Sequence, residues 1–234
     1  MSKEPRKINW RRIFVEAAAI VVSILLAFAV DAWWRDRSEW QRLINGLENL
    51  QTELRANLAM IERYEQLHQG IVEAGVALLN TKPADVTVEQ CGHVFVEGWV
   101  TDYSTGALDI VLGSTRLDLI DDQQLRTELV ALPAGYLDAV EDERWAIDKL
   151  MDKWIPYIST VMPVGRLWAV AMPDVDFPVS EEVAPADIAR AAKTLEFRNH
   201  VTNRIGHEIL SIDAMRDLRE KLEALIGRID SIVE

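Results

Sequence analysis

The chain has 234 residues, of which 49% are hydrophobic and 27% charged, a composition typical of a folded protein and not of a disordered one. Its formal net charge is −13, and because residues 1–12 carry a local charge of +4, the remainder carries −17. A surface of that sign repels phosphate backbones, so nucleic acid is excluded as an expected partner. The single cysteine, Cys91, excludes an intramolecular disulfide.

The first predicted element is an apolar helix over 13–34. Its charge-free part, 17–30, has 14 residues and is short for a membrane span. Trp10 before it and Trp33 with Trp34 at its end are placed like the aromatic belts at the two membrane interfaces. The helix from Trp10 to Trp33 covers about 35 Å at about 1.5 Å per residue, enough for a hydrocarbon layer of about 30 Å. These features predict a transmembrane anchor.

A cleaved signal peptide is the alternative interpretation of this segment. The basic start, the apolar stretch and the small residues Ala27 and Ala29 around Phe28 fit a cleavage pattern. Against cleavage, no glycine or proline breaks the helix near that point, and apolar periodicity resumes directly afterwards. We therefore favour a retained anchor.

The distribution of basic residues predicts the orientation of the anchor. Five Lys or Arg residues precede it, whereas only Arg35, Arg37 and Arg42 follow closely, interleaved with acidic residues. The positive-inside rule then places the N-terminus in the cytoplasm and the C-terminal domain outside it, in the periplasm of a bacterium. The predicted organisation is a basic cytoplasmic tail over 1–12, an anchor over 13–34 and an acidic helical domain over 35–234. The predicted location is the inner membrane of a bacterium.

One face of the anchor is a candidate interface with another transmembrane helix. Glu16, Ala19, Ser23, Ala27 and Asp31 fall within about a third of the circumference at 100° per residue. Small residues spaced by four let two backbones approach closely, and a serine hydroxyl can hydrogen-bond across the contact. The alternative is a chance stripe in an alanine-rich span. The expected partners are the lipid bilayer and a second copy of the chain or another membrane protein.

Glu16 is unusual because an ionisable group inside a span is costly and ordinarily has a partner. It lies only about one helical turn inside the boundary, and Arg12 precedes it by four residues on the same helix. A solvated or Arg12-paired carboxylate is the favoured interpretation, and a proton or partner site is the alternative.

Beyond the anchor, apolar residues follow a heptad pattern to Asn80, with no proline between Arg6 and Lys82. The pattern predicts one nearly continuous helix from the membrane to Asn80, where Pro83 stops it. The a and d positions of this seam are Trp40, Leu43, Leu47, Leu50, Leu54, Asn57, Ile61, Tyr64, His68, Ile71, Gly75 and Leu78.

A second long helix is predicted from Asp187, as N-cap, to the C-terminus, where it pairs antiparallel with the first. Its apolar positions are Leu195, Val201, Ile205, Ile209, Ile212, Leu218, Leu222, Leu225, Ile229 and Ile232. The fold class is therefore mainly α, with shorter helices and loops between two long helices.

The middle of the chain is more broken. The β-branched and aromatic residues of 84–103 predict a short strand or a buried loop. Helices are predicted from Ser104 or Thr105 to Leu112, from Asp121 or Asp122 to a stop at Pro133, and over 137–158 with a kink at Pro156. Four further prolines predict an extended surface stretch, at positions Pro163, Pro173, Pro178 and Pro185.

Two parts of the chain resemble a bacterial family of small single-pass proteins described only as a domain of unknown function. The first is the anchor, with Glu16 early in the span, Leu26-Ala27-Phe28-Ala29 in its second half and Trp33 before a charged helix. The second is the segment Gly113-Ser114-Thr115-Arg116-Leu117-Asp118-Leu119-Ile120-Asp121-Asp122-Gln123-Gln124-Leu125-Arg126. The resemblance implies a membrane-anchored helical protein and no established activity.

The second segment is interpreted physically as a helix cap with packing. Its leucines and Ile120 bury a short helix, Asp121 or Asp122 caps it, and Arg126 hydrogen-bonds a neighbouring loop. A binding role for Arg126 is the alternative.

Chemistry-bearing motifs are weak. Cys91 and His93 lack further metal ligands at suitable spacing, as do His200 and His207, and the acidic runs 141–143 and 181–182 predict solvated surface. No nucleophile elbow, zinc-protease pair or phosphate loop occurs in the sequence. We therefore expect no catalytic residue, no metal, no cofactor and no enzyme. The expected function is a scaffold or accessory subunit, and the alternative is a sensor or ligand-binding module that signals through a partner subunit.

Overall fold

The computed structural model of the chain describes residues 10–113, 117–177 and 184–233. These residues form helices and connecting loops, with no β-strand in the described ranges. The first helix, α1 (Trp10–Asn80), has 71 residues and runs through the predicted anchor and the heptad segment without interruption. The continuous helix predicted from the absence of proline is therefore confirmed.

The last helix, α8 (Leu195–Val233), packs along α1 in antiparallel pairing, as predicted. Its start differs from the prediction, because Pro185–Ala192 forms a separate short helix, α7, in which Asp187 lies in the first turn and Ala184 is the N-cap. Thr194 separates the two helices. Its hydroxyl donates to Ala191 O at 2.7 Å and accepts from Phe197 N at 3.2 Å, which stabilises the end of one helix and the start of the next.

The prediction of a short strand or a buried loop over 84–103 is wrong for its central part, which is helix α2 (Val88–Phe95). Thr87 accepts a hydrogen bond from Gln90 N while the Gln90 side chain accepts one from Thr87 N, a complete capping box. This local signal outweighs the β-branched composition. The buried face of α2 packs against α6 (Val164–Ala171), in a stretch that the prolines had predicted to be extended.

The predicted stop at Pro133 is also wrong. Helix α4 runs over Gln123–Lys149, capped by Asp122, with Pro133 inside it. A proline inside a helix removes one hydrogen bond and costs about 3 kcal/mol. The buried face continues across it through Leu129, Leu132 and Tyr136, and this packing offsets the loss.

Helix α4 continues into a π-helical turn, Leu150–Trp154, and the short helix α5 (Ile155–Ile158). Pro156 lies in the first turn of α5, so the change from α-helical to π-helical geometry at Leu150 comes a little before the predicted kink. Helix α3 (Gly106–Gly113) packs on α1, and two 3₁₀ turns, Pro83–Asp85 and Leu117–Leu119, complete the described elements.

The core consists of two hydrophobic clusters stacked along the bundle axis. The cluster nearer the apolar stretch of α1 joins α1, α3, α4 and α8 around Leu47, Leu129 and Leu222. The distal cluster joins the end of α1 to α2, α6, α7 and the start of α8 around Phe95 and Phe197. Between the two clusters the three long helices α1, α4 and α8 meet through polar side chains.

Candidate functional site

The predicted anchor face lies on an uncovered part of α1. Glu16, Ala19, Ser23, Ala27 and Asp31 are all exposed in the structure. The same region contains the one described stretch that is long and apolar enough to cross a membrane, with a mean hydropathy of 1.7 and none of its residues buried. Folding of the domain therefore leaves the described side chains of this stretch exposed. Arg12, the predicted partner of Glu16, has a side chain outside the described residues.

Two polar side chains of this face already have contacts within α1. Ser23 Oγ donates to Ala19 O at 2.7 Å, which satisfies its hydroxyl hydrogen inside the helix. Asp31 Oδ2 lies 2.5 Å from Arg35 Nη2, one turn later. Both members of that pair are more than 60% exposed, so its contribution to stability is small.

Arg126 has a structural contact of the predicted kind. Its Nη1 donates to Ile120 O at 2.6 Å and ties the start of α4 to the preceding loop. Ile120, Leu125 and Leu129 are buried, as the interpretation of this segment as a cap with packing requires. Asp122 accepts hydrogen bonds from Gln124 N and Leu125 N, so Asp122 and not Asp121 is the N-cap of α4.

The principal feature that sequence reasoning missed is a polar layer formed by His68, Thr101, Glu143, Arg204 and Glu208. All five side chains are buried, with relative exposures of 3% or less. His68 on α1 contacts Glu208 of α8 through Nδ1 and lies 3.1 Å from Glu143 Oε1 of α4 through Nε2. One imidazole therefore joins all three long helices at the level between the two hydrophobic clusters.

Glu143 is fixed by the loop that precedes α3. Its Oε2 accepts from Thr101 N at 2.8 Å, and its Oε1 accepts from the Thr101 hydroxyl at 2.7 Å. A buried carboxylate needs such donors because burial without them costs several kcal/mol. The prediction that the acidic run 141–143 is solvated is therefore wrong for Glu143, because its helical position faces the bundle axis. The second acidic run, 181–182, lies outside the described residues.

Arg204 extends the polar layer on α8. Its Nη1 lies 2.8 Å from Glu208 Oε1, an ion pair without hydrogen-bond geometry, and its Nη2 donates to Glu97 O. The guanidinium carbon lies 5.1 Å from the centroid of the Trp154 ring, so the cation also stacks on an aromatic face.

The electrostatics of the layer favour a charged histidine. Burial lowers the pKa of His68, but hydrogen bonds to Glu143 and Glu208 and their negative charges outweigh burial and raise the pKa from 6.5 to about 9. With His68 protonated, two cations balance two carboxylates in the layer. Because the carboxylates contact opposite ring nitrogens, they do not converge on a common point as metal ligands must.

A smaller polar contact lies nearer the apolar stretch of α1. Asn57 Nδ2 donates to Ser104 O at 2.8 Å and to the Tyr136 hydroxyl at 2.9 Å, and its Oδ1 accepts from Ser104 N at 3.0 Å. Glu53 accepts from Ala107 N at 2.7 Å and from the next amide of α3. The amides at the start of α3 are therefore bound by a carboxylate of α1, where the sequence had predicted capping by Ser104 or Thr105.

The remaining histidines and the cysteine have separate surroundings. Burial raises the pKa of the Cys91 thiol to about 12, and His93 Nδ1 lies 2.5 Å from Glu97 Oε1. His200 packs on Tyr157 at 4.3 Å between ring centroids, and His207 lies edge-on to Trp145 at 4.8 Å. Burial lowers the pKa of both of these histidines. In the described ranges, no three side chains come together in a metal-binding arrangement.

A signal for the polar layer was present in the heptad pattern. His68 occupies an a position and Asn57 a d position, and a polar residue in an otherwise apolar seam needs a buried partner. On α8 the sequence analysis assigned Ile205 and Ile209 to the buried face, and therefore did not assign Arg204 and Glu208 to it. Ile209 is 43% exposed, whereas the pair beside it is buried.

Comparison of the chain with protein families, with curated proteins and with solved structures finds no match.

Proposed function

We propose that the protein is a non-catalytic scaffold or accessory subunit that presents an acidic helical domain on the periplasmic face of a bacterial inner membrane. The observation that carries the proposal is the continuity of α1. The exposed apolar stretch that is long enough to span a bilayer and the seam that holds the domain together belong to one unbroken helix. The domain is therefore attached to the anchor without a flexible linker.

The length of α1 gives this attachment a defined reach. The 46 helical steps from Trp34 to Asn80 extend about 70 Å at about 1.5 Å per residue. A helix of that length, stiffened by packing against α8, holds the distal cluster well away from the bilayer surface. Such an arrangement suits a protein that presents a surface to a partner at a set height above the membrane.

The use of ionisable groups also supports a non-catalytic role. The four titratable side chains of the polar layer are buried among the helices that they join. The hydrogen bonds of His68, Glu143 and Glu208 are made to one another and to Thr101. A catalytic acid or base must reach a substrate, and these groups instead hold three helices in one register.

Two measurements test the proposal. A reporter that is active only outside the cytoplasm, fused after Glu234, is expected to be active, and a cytoplasm-only reporter is expected to be inactive. Purification of the full chain from native membranes in mild detergent is expected to retain a stoichiometric protein partner. Reporter activity of the opposite pattern, or a chain that purifies alone from crosslinked and uncrosslinked membranes, contradicts the proposal.

A membrane-anchored sensor is the second candidate function. It is favoured by the position of His68 on the same helix as the anchor, because a change in the polar layer has a direct path along α1 to the membrane. Signalling then proceeds through a partner subunit. A small molecule that is retained through purification and that changes the proton occupancy of His68 distinguishes the sensor from the accessory subunit.

A further inference from the structure

The outer surface between α4 and α8 carries a groove of about 670 Å³. Its floor is formed by the buried leucines Leu132 and Leu225. Its walls contain the small residues Ala131, Ala134, Gly135 and Ala224. Small side chains at these positions leave the two helix backbones accessible, so another helix can approach closely.

The rim of the groove is strongly acidic. Glu128, Asp138, Asp217 and Glu220 line it together with a single base, Lys221. Glu128 lies 3.4 Å from Arg228 Nε. The other three carboxylates make no hydrogen bond or ion pair within the part of the chain that the structure describes. Three carboxylates that form no ion pair in the described structure therefore border the groove.

The groove continues along α4 into a second depression. Asp138 lines both, and the second is bordered by Leu137 and Trp145, which are 61% and 51% exposed. Its charged residues are again mainly acidic, with Arg144 the one base against Asp138, Glu141 and Asp148. From Glu128 to Asp148 the surface extends 20 residues along α4, about 30 Å at about 1.5 Å per residue.

We propose that this groove, the α4–α8 groove, binds a basic amphipathic helix of a partner protein, with an apolar stripe on the floor and Lys or Arg residues on the rim. The groove lies on the outer side of the contact between α4 and α8, which pack directly against each other. A partner helix of about 20 residues matches the length of the surface. The inference rests on the proposed role as an accessory subunit and names the chemistry of its partner.

Charge complementarity selects this partner over a second copy of the chain. The chain has a net charge of −13, and a symmetric dimer through the groove brings two acidic rims together. Like charges in an interface oppose association, whereas opposite charges guide the correct partner and exclude others.

Peptide binding tests the inference on the full chain in bilayer nanodiscs. The probes are two synthetic 21-residue amphipathic helices with the same alanine and leucine stripe, one flanked by lysines and the other by glutamates. We expect the lysine peptide to bind and the glutamate peptide to bind at least about tenfold more weakly. Equal binding of the two peptides, or no binding of either, overturns the inference.

Matched variants locate the binding on the chain. The double variant Asp138→Lys with Asp217→Lys is expected to bind the lysine peptide about tenfold or more weakly than the unaltered chain does. Glu48→Lys with Glu62→Lys makes the same change in net charge at exposed sites on α1 and is expected to have a much smaller effect. Ala134→Trp fills the groove without changing charge and is expected to weaken binding as well. An equal loss from the α1 pair shows non-specific attraction and overturns the inference.

Crosslinking in native membranes then connects the groove to a natural partner. A photo-reactive side chain at Ala134 or Ala224 is expected to crosslink a basic helical segment, and the same group at Glu48 is not. A crosslink to a second copy of the chain, to an acidic segment or to nothing overturns the inference. If a stoichiometric partner is retained but the groove variants leave it bound, the accessory role stands and the groove assignment fails. If the groove binds the lysine peptide but no partner is retained from membranes, the proposed function fails.

Discussion

The two parts of α1 differ in whether their apolar side chains are covered by other parts of the chain. Before residue 35 the helix carries large apolar side chains that are exposed, with Phe14, Leu25 and Trp33 all more than 60% accessible. From Leu43 onward only one seam is apolar, and α8 and its neighbours cover it. The apolar stretch before residue 35 is therefore uncovered within the described structure, whereas the seam of the domain is covered by the chain's own residues.

Polar residues mark the same contrast. In the anchor they lie towards the ends of the span or, at Ser23, bond within the helix. In the domain Asn57 and His68 lie in the seam itself and have partners on other helices. Each buried polar contact is satisfied in only one register of α1, α4 and α8, so these contacts favour a single packing arrangement.

The largest effect is expected from breaking the polar layer. Glu143→Leu removes the acceptor of Thr101 N and of the Thr101 hydroxyl and one partner of His68. Loss of one member of a buried charged network is expected to lower the free energy of unfolding by about 3–5 kcal/mol. Urea unfolding of residues 35–234 measures it. Glu141→Leu, at an exposed position two residues away, is the control, and a similar loss in both variants contradicts the assignment of Glu143 to the layer.

A slightly smaller effect is expected from pH. The pKa of His68 is about 9 in the folded domain against 6.5 when unfolded, so its contribution is fully present below pH 6.5 and is lost as pH rises through 9. The difference between the two pKa values corresponds to about 3 kcal/mol. Unfolding measured between pH 6 and pH 10 tests this. His68→Gln is expected to flatten the dependence, and an unchanged slope in that variant contradicts the protonated state.

The neutral polar contact is expected to be weaker. Asn57→Leu leaves Ser104 N, Ser104 O and the Tyr136 hydroxyl without their side-chain partner. The expected loss in free energy of unfolding is about 1–3 kcal/mol, because the groups left behind carry no charge. Asn45→Leu on the exposed side of α1 is the matched control and is expected to change stability by less than about 0.5 kcal/mol. Equal losses would show that Asn57 contributes only through helix propensity.

The smallest effect is expected in the anchor. Ser23→Leu with Ala27→Leu enlarges the candidate interface face and is expected to weaken helix association by about 0.6–2 kcal/mol while leaving insertion intact. Energy transfer between labelled anchors in bilayers measures association. Val21→Leu with Leu25→Ile changes the opposite face and is expected to have no effect. If both pairs behave like the unaltered chain, the small-residue face is not an interface.

The two long helices were predictable because their period is sustained and no proline interrupts them. Every a and d position from Leu43 to Leu78 except Tyr64, which is half-buried, is buried in the structure. The short elements were not predictable in the same way. For 88–95 the β-branched residues suggested a strand, although the Thr87 and Gln90 capping box indicated a helix. At Pro133 the local rule was overridden by packing on both sides of the proline.

The polar layer and the Asn57 contact were only partly predictable. His68 and Asn57 stand out as polar residues in an apolar seam, but their partners do not. Arg204 and Glu208 are spaced like an ordinary surface ion pair, and Glu143 belongs to an acidic run. Which side of α4 and α8 faces the axis depends on the tertiary packing of three helices, and that information is not present in any one segment.

The difference between the two parts of α1 is tested most directly by separating them. The full chain and residues 35–234 are mixed with lipid vesicles, floated on a density gradient, and then unfolded by heat. The account predicts that the full chain floats and resists alkaline carbonate, whereas residues 35–234 stay in solution and unfold in the same cooperative transition as the full chain. A truncated chain that still floats, or one that is unfolded without its anchor, contradicts the account.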